Sequence, residues 1–262
     1  MMQSFTIQPY SGLSSLVSHI LVMDHQTTYG VVTPLPFYAD GVPGIVFQQS
    51  SGNMYLNDKN RKLSSLFLYG QTIRPITLLP YGSFRMIIFL LYPSAISRLF
   101  GIRSNEVTDD CVDLRLLPSA NLLSDYQALT ETTESHMQID IISRYLIAIS
   151  NAIQVSADNI VHYALEHIIA SKGLTSLPEL RKRLHITERT FERKFEQYVG
   201  VSPRLFSRIC QFKSTMHQLD QQNFNKLSDV AYHNGFADQS HFIRSFRQFS
   251  GLSPLQYVRK QW

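Results

Sequence analysis

Residues 200–208 read GVSPRLFSR, and residues 251–259 read GLSPLQYVR. Aligning the chain with itself at an offset of 51 extends the match upstream. Phe191, Arg193, Phe195, Gln197, Gly200, Ser202, Pro203 and Arg208 meet Phe242, Arg244, Phe246, Gln248, Gly251, Ser253, Pro254 and Arg259. These are 8 identities over the 18 positions from 191 to 208, where unrelated stretches share about one. Val201 with Leu252, Tyr198 with Phe249 and Phe206 with Tyr257 are conservative matches. One supersecondary unit is therefore used twice in this chain.

Each copy spells helix, turn, helix. In the first, LPELRKRL (177–184) is followed by the turn HIT and then ERTFERKFEQYV, with Thr187 as the expected N-cap. In the second, KLSDVAYHN leads through GFAD into QSHFIRSFRQF, with Asp238 as N-cap and Gly235 where a tight turn needs positive φ. Gly200 and Gly251 fit the position that ends each second helix. Ser202 and Ser253 can cap the next helix, with Pro203 and Pro254 at its first position. G-x-S-P is thus a corner that stops one helix and starts another. After the first corner, PRLFSRICQFKSTMHQLDQ (203–221) reads as one helix of roughly 28 Å, against about 34 Å for a turn of B-DNA.

Helical geometry divides each second helix into two faces. Phe191, Phe195 and Tyr198, like Phe242, Phe246 and Phe249, share a core face. A base-stacking platform is the alternative use of these rings. The opposite face carries Arg189, Glu192, Arg193 and Glu196 in the first copy. In the second it carries Ser240, Arg244 and Arg247, with Gln239 and His241 at the N-terminal turn. Arg, Gln, Ser and His near a helix start can donate to base edges or phosphates. Helix-turn-helix units present a second helix to the major groove in this way.

Charge supports a polyanion partner for the C-terminal part. Residues 174–262 hold 14 Lys and Arg against 7 Asp and Glu, a balance of +7, whereas residues 1–173 hold 10 against 13, a balance of −3. Two isolated thiols, Cys111 and Cys210, point to a reducing, cytoplasmic setting. The opening MMQSFTIQPY lacks the basic start and apolar stretch of a signal peptide. The longest strongly apolar run, MIIFLLY (86–92), falls far short of the ~20 residues of a membrane span. No membrane partner is expected.

The first part of the chain reads differently, so the fold class is α+β with a β-rich N-terminal domain. HILVM (19–23), GIVFQQS (44–50), SLFLYG (65–70) and FRMIIFLLY (84–92) are separated by the turn clusters TPLP, ADGVPG, SSGNMYLNDKN and LPYGS. Short strands at such spacing predict a barrel or a sandwich. Residues 93–104 predict a short helix ended by Gly101. From Ser135 to Gln154, Ile139, Ile142, Leu146, Ile149 and Ile153 trace an amphipathic helix, either packed on the β domain or paired with its twin in a dimer. Asp158 to Lys172 forms the next helix, with Gly173 as its C-terminal stop. The division expected is a sensor domain over 1–134, a linking helix over 135–157, and a DNA-binding domain over 158–262 with units at about 177–199 and 227–250.

The segments ERTFERKFEQYVGVSPRLFSRICQF and LSDVAYHNGFADQSHFIRSFRQFSGLSPLQYVRK resemble the DNA-binding domain of AraC/XylS-type transcription regulators. The resemblance covers about residues 158–262. It implies two helix-turn-helix units, with base contacts from Arg189, Glu192 and Arg193, then Gln239, Ser240, His241 and Arg244. Double-stranded operator DNA is the partner it implies, and RNA polymerase, a small-molecule effector and a second copy of the chain are further candidates. LLYPSAISRLFGIRSNEVTDDCVDLRLL is similar to the sensor domain of a subgroup of these regulators, which implies a cupin-like N-terminal domain. Only His19 and His25 stand in residues 1–120, without partnering spacing, so no metal and no cofactor are expected. Phe37, Tyr38, Phe47, Tyr55, Phe67, Tyr69, Tyr81 and Phe84 line a pocket or fill the core, leaving the effector-binding residues unassigned.

The competing reading is an enzyme of alkyl-transfer or repair type with a DNA-binding tail. Its cysteine chemistry finds little support, because acids flank Cys111 in DDCVDL and raise a thiol pKa. No Gly-rich phosphate loop, Ser/His/Asp signature or HExxH is present, so the chain is read as no enzyme.

Overall fold

The computed structural model describes residues 2–28, 30–56, 61–153, 157–222 and 224–260. Gln154, the expected end of the amphipathic helix, and the last four residues of SSGNMYLNDKN lie outside them. The N-terminal strands are β1 (Met2–Ile7), β2 (Val17–His25), β3 (Leu35–Phe37), β4 (Gly44–Ser50), β5 (Met54–Leu56), β6 (Arg61–Lys62), β7 (Leu66–Tyr69), β8 (Ile76–Pro80), β9 (Phe84–Leu91) and β10 (Cys111–Asp113). They form a six-stranded sheet in the order β1-β2-β9-β4-β7-β10 and a four-stranded sheet in the order β3-β8-β5-β6, every pairing antiparallel. The two sheets face each other without closing, which resolves the choice between barrel and sandwich in favour of two open layers.

Period-2 alternation explains the arrangement. Along β9, Phe84, Met86 and Ile88 meet Val46, Phe67 and the small-sheet residues Leu35, Met54, Leu56 and Leu78 in one core. Ile87, Phe89 and Leu91 point the other way, with Ile20, Val22, Ile45, Phe47, Leu66 and Leu68. Buried on both faces, the central strands read as nearly continuous apolar runs.

The second core is closed by α1 (Ala95–Phe100), α2 (Tyr126–Glu131) and α3 (Ser135–Ala152). Gly101, at φ 66°, ends α1 as its sequence predicts. On α3, Ile139, Ile142, Leu146 and Ile149 are buried against the large sheet, and Ile153 packs beside them. The stripe is thus consumed within the chain, which is the first of the two uses open to it. Gln138 Nε2, fully buried on the same helix, donates to Gln49 Oε1 (2.8 Å) and Thr132 O (2.7 Å), fixing α3 to β4.

The remaining helices are α4 (Asn159–Ala170), α5 (Leu177–Arg183), α6 (Glu188–Val199), α7 (Pro203–Asp220), α8 (Leu227–His233), α9 (Gln239–Ser250) and α10 (Pro254–Lys260). Asp158 caps α4, its side chain accepting from Ile160 N (3.0 Å) and Val161 N (3.2 Å). Two positive-φ residues, Lys172 (53°) and Gly173 (83°), follow α4, so the glycine stop is shared with a lysine. No helix among the described residues is long and apolar enough to cross a membrane.

Candidate nucleic-acid interface

Helices α4, α5 and α6, with the first turns of α7, enclose one small core. Val161, Ala164, Leu165 and Ile168 of α4 meet Leu180, Phe191, Phe195, Val199 and Phe206. The second copy repeats this plan with α7, α8, α9 and α10. Phe212 and Leu219 of α7 meet Val230, Ala231, Phe242, Phe246, Phe249 and Tyr257. The phenylalanines are therefore core, with Phe212 and Phe246 ring centroids 5.1 Å apart and nearly edge-on. This excludes the base-stacking use of the same rings. Helix α7 thus serves both cores, its N-terminal turn in the first and its later turns in the second.

The turn chemistry is the same in both units. His185 (φ 52°) and Gly235 (φ 72°) follow the first helices in the left-handed region. Ile186 N donates to Arg181 O (3.3 Å), and Phe236 N to Ala231 O (3.0 Å), closing each helix with a Schellman-type turn. The second turn then spends one more residue, Ala237, before its cap. Thr187 Oγ1 accepts from Thr190 N (3.3 Å), and Asp238 Oδ1 accepts from His241 N (2.7 Å), so both expected N-caps form. The G-x-S-P corners follow suit. Gly200 and Gly251 end α6 and α9 at φ 98° and 75°, Ser202 Oγ accepts from Leu205 N (3.2 Å), and Ser253 Oγ from Gln256 N (3.3 Å).

These restraints present one polar face on each second helix. Arg189, Glu192 and Arg193 on α6, and Gln239, Ser240, Arg244 and Arg247 on α9, are exposed. His241 differs: it is half-buried, its ring 5.6 Å from that of Phe236 and edge-on. Among the described residues, Arg193 and Arg244 form no ion pair, and neither does Glu192. Lys194 sits on the flank of α6 instead, with Nζ 2.5 Å from Asp158 Oδ2, tying the helix to the start of α4. Arg181 and Glu188 pair across the first turn. Tyr232, 83% exposed at the end of α8, is a surface aromatic that helical patterning alone does not single out.

Where the β-rich part meets α4, α7 and α8 there is a cavity of about 830 Å³. Asp40, Lys172, Cys210, Lys213, His217 and His233 are among its walls. Burial pushes the Asp40 carboxyl up against the opposing pull of Lys213, and burial pushes the Cys210 thiol up to about 12. These residues come from four separate segments, and nothing in their local sequence marks them. The expected aromatic positions do not line this cavity. Phe47, Phe67 and Phe84 are core, Tyr55 stacks edge-on against Tyr81, and Tyr38 against Tyr257. His19 is exposed, and His25 Nε2 lies 3.2 Å from Thr33 Oγ1. No group of three or more His, Cys, Asp or Glu among the described residues is placed to hold a metal ion.

Two family models match the chain: a helix-turn-helix domain over residues 180–260 and a domain of unknown function, DUF6597, over residues 5–113. The HTH-type transcriptional activators RhaS of Yersinia pestis (strain Pestoides F) and Yersinia pseudotuberculosis serotype O:1b (strain IP 31758) are each 31% identical over 77 residues. That match covers 29% of this chain and spans 28% of the length of those relatives. Among solved structures, apo ToxT K231A from Vibrio cholerae strain SCE256 aligns at TM-score 0.48 and 15% identity, over 92% of this chain and 97% of that one. The AraC-like transcriptional activator CuxR aligns at TM-score 0.31 and 14% identity, over 84% of this chain and 86% of that one. The repeated units, their caps and the sequence match agree: the C-terminal region of the chain is an AraC-type helix-turn-helix domain.

Proposed function

We propose that the chain is a sequence-specific DNA-binding transcription regulator whose helices α6 and α9 enter successive major grooves of one duplex. The observation that carries this reading is the pairing of two helices capped in the same pattern, each with exposed arginine on its outer face, across the single helix α7. The 18 residues of α7 span about 27 Å, close to the rise of one duplex turn. In this reading Arg189, Arg193, Gln239, Ser240, Arg244 and Arg247 donate to base edges or phosphates. Glu192 accepts from cytosine N4. His241, leaning on Phe236, offers only its outer edge. The +7 balance of residues 174–262 supplies the salt-dependent part of the affinity. That the curated relatives are named transcriptional activators agrees with this reading.

The N-terminal part, over about residues 1–134, binds a small effector or mediates self-association. In support, the 830 Å³ cavity lies within the ~300–1,000 Å³ typical of small-molecule sites and touches the β-rich part and both helix-turn-helix units at once. The enzyme reading has no comparable support, since burial holds the Cys210 thiol protonated.

Selection of the purified chain against randomised duplex DNA at fixed salt tests the reading. Two enriched half-sites about one helical turn apart are expected. Enrichment of no sequence, with the salt dependence of non-specific binding intact, would overturn it.

A further inference from the structure

The β-rich part grips both helix-turn-helix corners at equivalent places. Ser104, fully buried in a single 3-10 turn, donates through Oγ to Tyr198 O of α6 at 2.7 Å. The backbone N–H of Ala39 donates to Phe249 O of α9 at 3.1 Å. Tyr198 and Phe249 are the same position of the 51-residue repeat. Thr108 adds a bond from Oγ1 to Gly200 O at 2.7 Å, at the corner itself. The fit there is close: a Cβ on Gly200 would lie 2.9 Å from Thr108 Oγ1 and 3.0 Å from Ser104 O. At the other corner a Cβ on Gly251 would lie 3.3 Å from Pro75 Cγ.

The three loops that make these contacts are tied to one another. Gln71 Nε2, buried, donates to Gly41 O (3.1 Å), Asp109 N donates to Gln71 O (2.9 Å), and Asp109 Oδ1 accepts from Ile73 N (2.8 Å). Ile73 itself packs against the cores of both units. The loops therefore form one template seated on two helix ends, not two independent contacts. The contacts lie at the C-terminal ends of α6 and α9. Arg189, Arg193, Gln239 and Arg244 nearer the N-terminal ends stay exposed while the template is docked. A clamp that blocked DNA would cover those side chains, and this one leaves them open.

The geometry points to Ser104, Thr108 and the Ala39 backbone as positioning groups that hold the two recognition helices at one separation and so set the half-site spacing the chain accepts. This rests on the DNA-binding reading above. It also gives the N-terminal part a means to alter operator choice, because any shift of the three loops moves one corner relative to the other.

The test uses the full chain, the double variant Ser104→Ala/Thr108→Val, and Thr108→Ser as a variant that keeps the hydroxyl. The probe is the pair of selected half-sites, with the spacer varied in single base pairs over about half a helical turn either way. The wild type and Thr108→Ser should bind one spacing most tightly. In the double variant that preference should flatten by about tenfold, as expected for a looser link between two sites, while the preferred half-site sequences stay unchanged. Thr108→Val alone carries the test should the double variant melt early, since its shape is conserved. An unchanged spacing preference in a folded variant would overturn the proposal. So would a gain in affinity equal at every spacing, which is the signature of an inhibitory clamp. Failure of the wild type to select any sequence would instead overturn the DNA-binding reading beneath it.

Discussion

Asp158 and Lys194 offer a sharp test of how the first helix-turn-helix unit is held. Asp158 Oδ1 caps α4, and Oδ2 pairs with Lys194 on α6, with side chains 11% and 28% exposed. Burial raises the carboxyl's pKa, but the Lys194 ammonium and the two backbone N–H groups more than reverse this, so the folded value lies below the ordinary 3.8. A carboxylate depressed in this way contributes stability above about pH 4 and loses it as the pH falls through the folded value. Removing the cap costs about 1 kcal/mol. The half-screened ion pair adds about 1 kcal/mol, the upper end for exposed pairs, because both partners are mostly covered. Asp158→Ala should therefore lower stability by about 2 kcal/mol at neutral pH, or about 4–8 °C in Tm. Asp158→Asn can keep the cap and should lose about half of that. Thermal melts of wild type and Asp158→Asn from pH 7 to pH 3 check the sign: the gap between them should hold at neutral pH and shrink towards zero in acid. A gap that persists in acid, or none at pH 7, would sink the assignment of the ion pair.

Other outcomes follow from the same cores and faces. Arg244→Ala should leave the unfolding free energy within about 0.5 kcal/mol of wild type, because the side chain is exposed, yet cost about 1–3 kcal/mol of base discrimination in one half-site when binding is profiled on operator variants. Arg193→Ala should do the same in the other half-site. Phe246→Ala, in a side chain 1% exposed between Phe212, Phe242 and Tyr257, should cost about 3–5 kcal/mol in chemical denaturation. Gly235→Ala should cost about 1–2 kcal/mol or more by the same measurement, since its φ is 72° and a Cβ there would lie 2.4 Å from Leu174 Cδ2.

The second half of the chain is unusually legible because its punctuation is local. Thr187, Asp238, Ser202, Ser253, Gly200 and Gly251 each act within four residues of their own position, so spacing alone reveals them. The repeat fades upstream of Phe191 for a physical reason. Ala237 lengthens the second turn by one residue, so α5 and α8 correspond at an offset of 50 while α6 and α9 correspond at 51. An alignment at fixed offset loses them.

The β-rich half hides more. Strand β3 runs through TPLP, which reads as a turn, because Pro36 is tolerated on the edge of the small sheet where no partner needs its N–H. Strand β5 lies inside SSGNMYLNDKN for a similar reason: three residues, Met54 to Leu56, are too few to show a period. Strand β1 is exposed over nearly its whole length, so burial writes no alternation into it. The cavity and the loops on the two corners were out of reach altogether. Asp40 and Lys213, or Ser104 and Tyr198, meet only after the chain has folded, and polar residues that meet across such distances carry no periodicity.

If α6 and α9 read one duplex as proposed, then α7, a packed helix and not a flexible tether, would also govern how long the protein stays on an operator. Once one reading helix is seated, the other searches a volume fixed by a strut of about 27 Å, at an effective concentration of about millimolar or higher, instead of by free diffusion. A unit that lets go is returned to its groove before its neighbour releases. Residence time then depends on the two dissociation steps together, so a mutation in either half-site shortens it far more than it slows arrival.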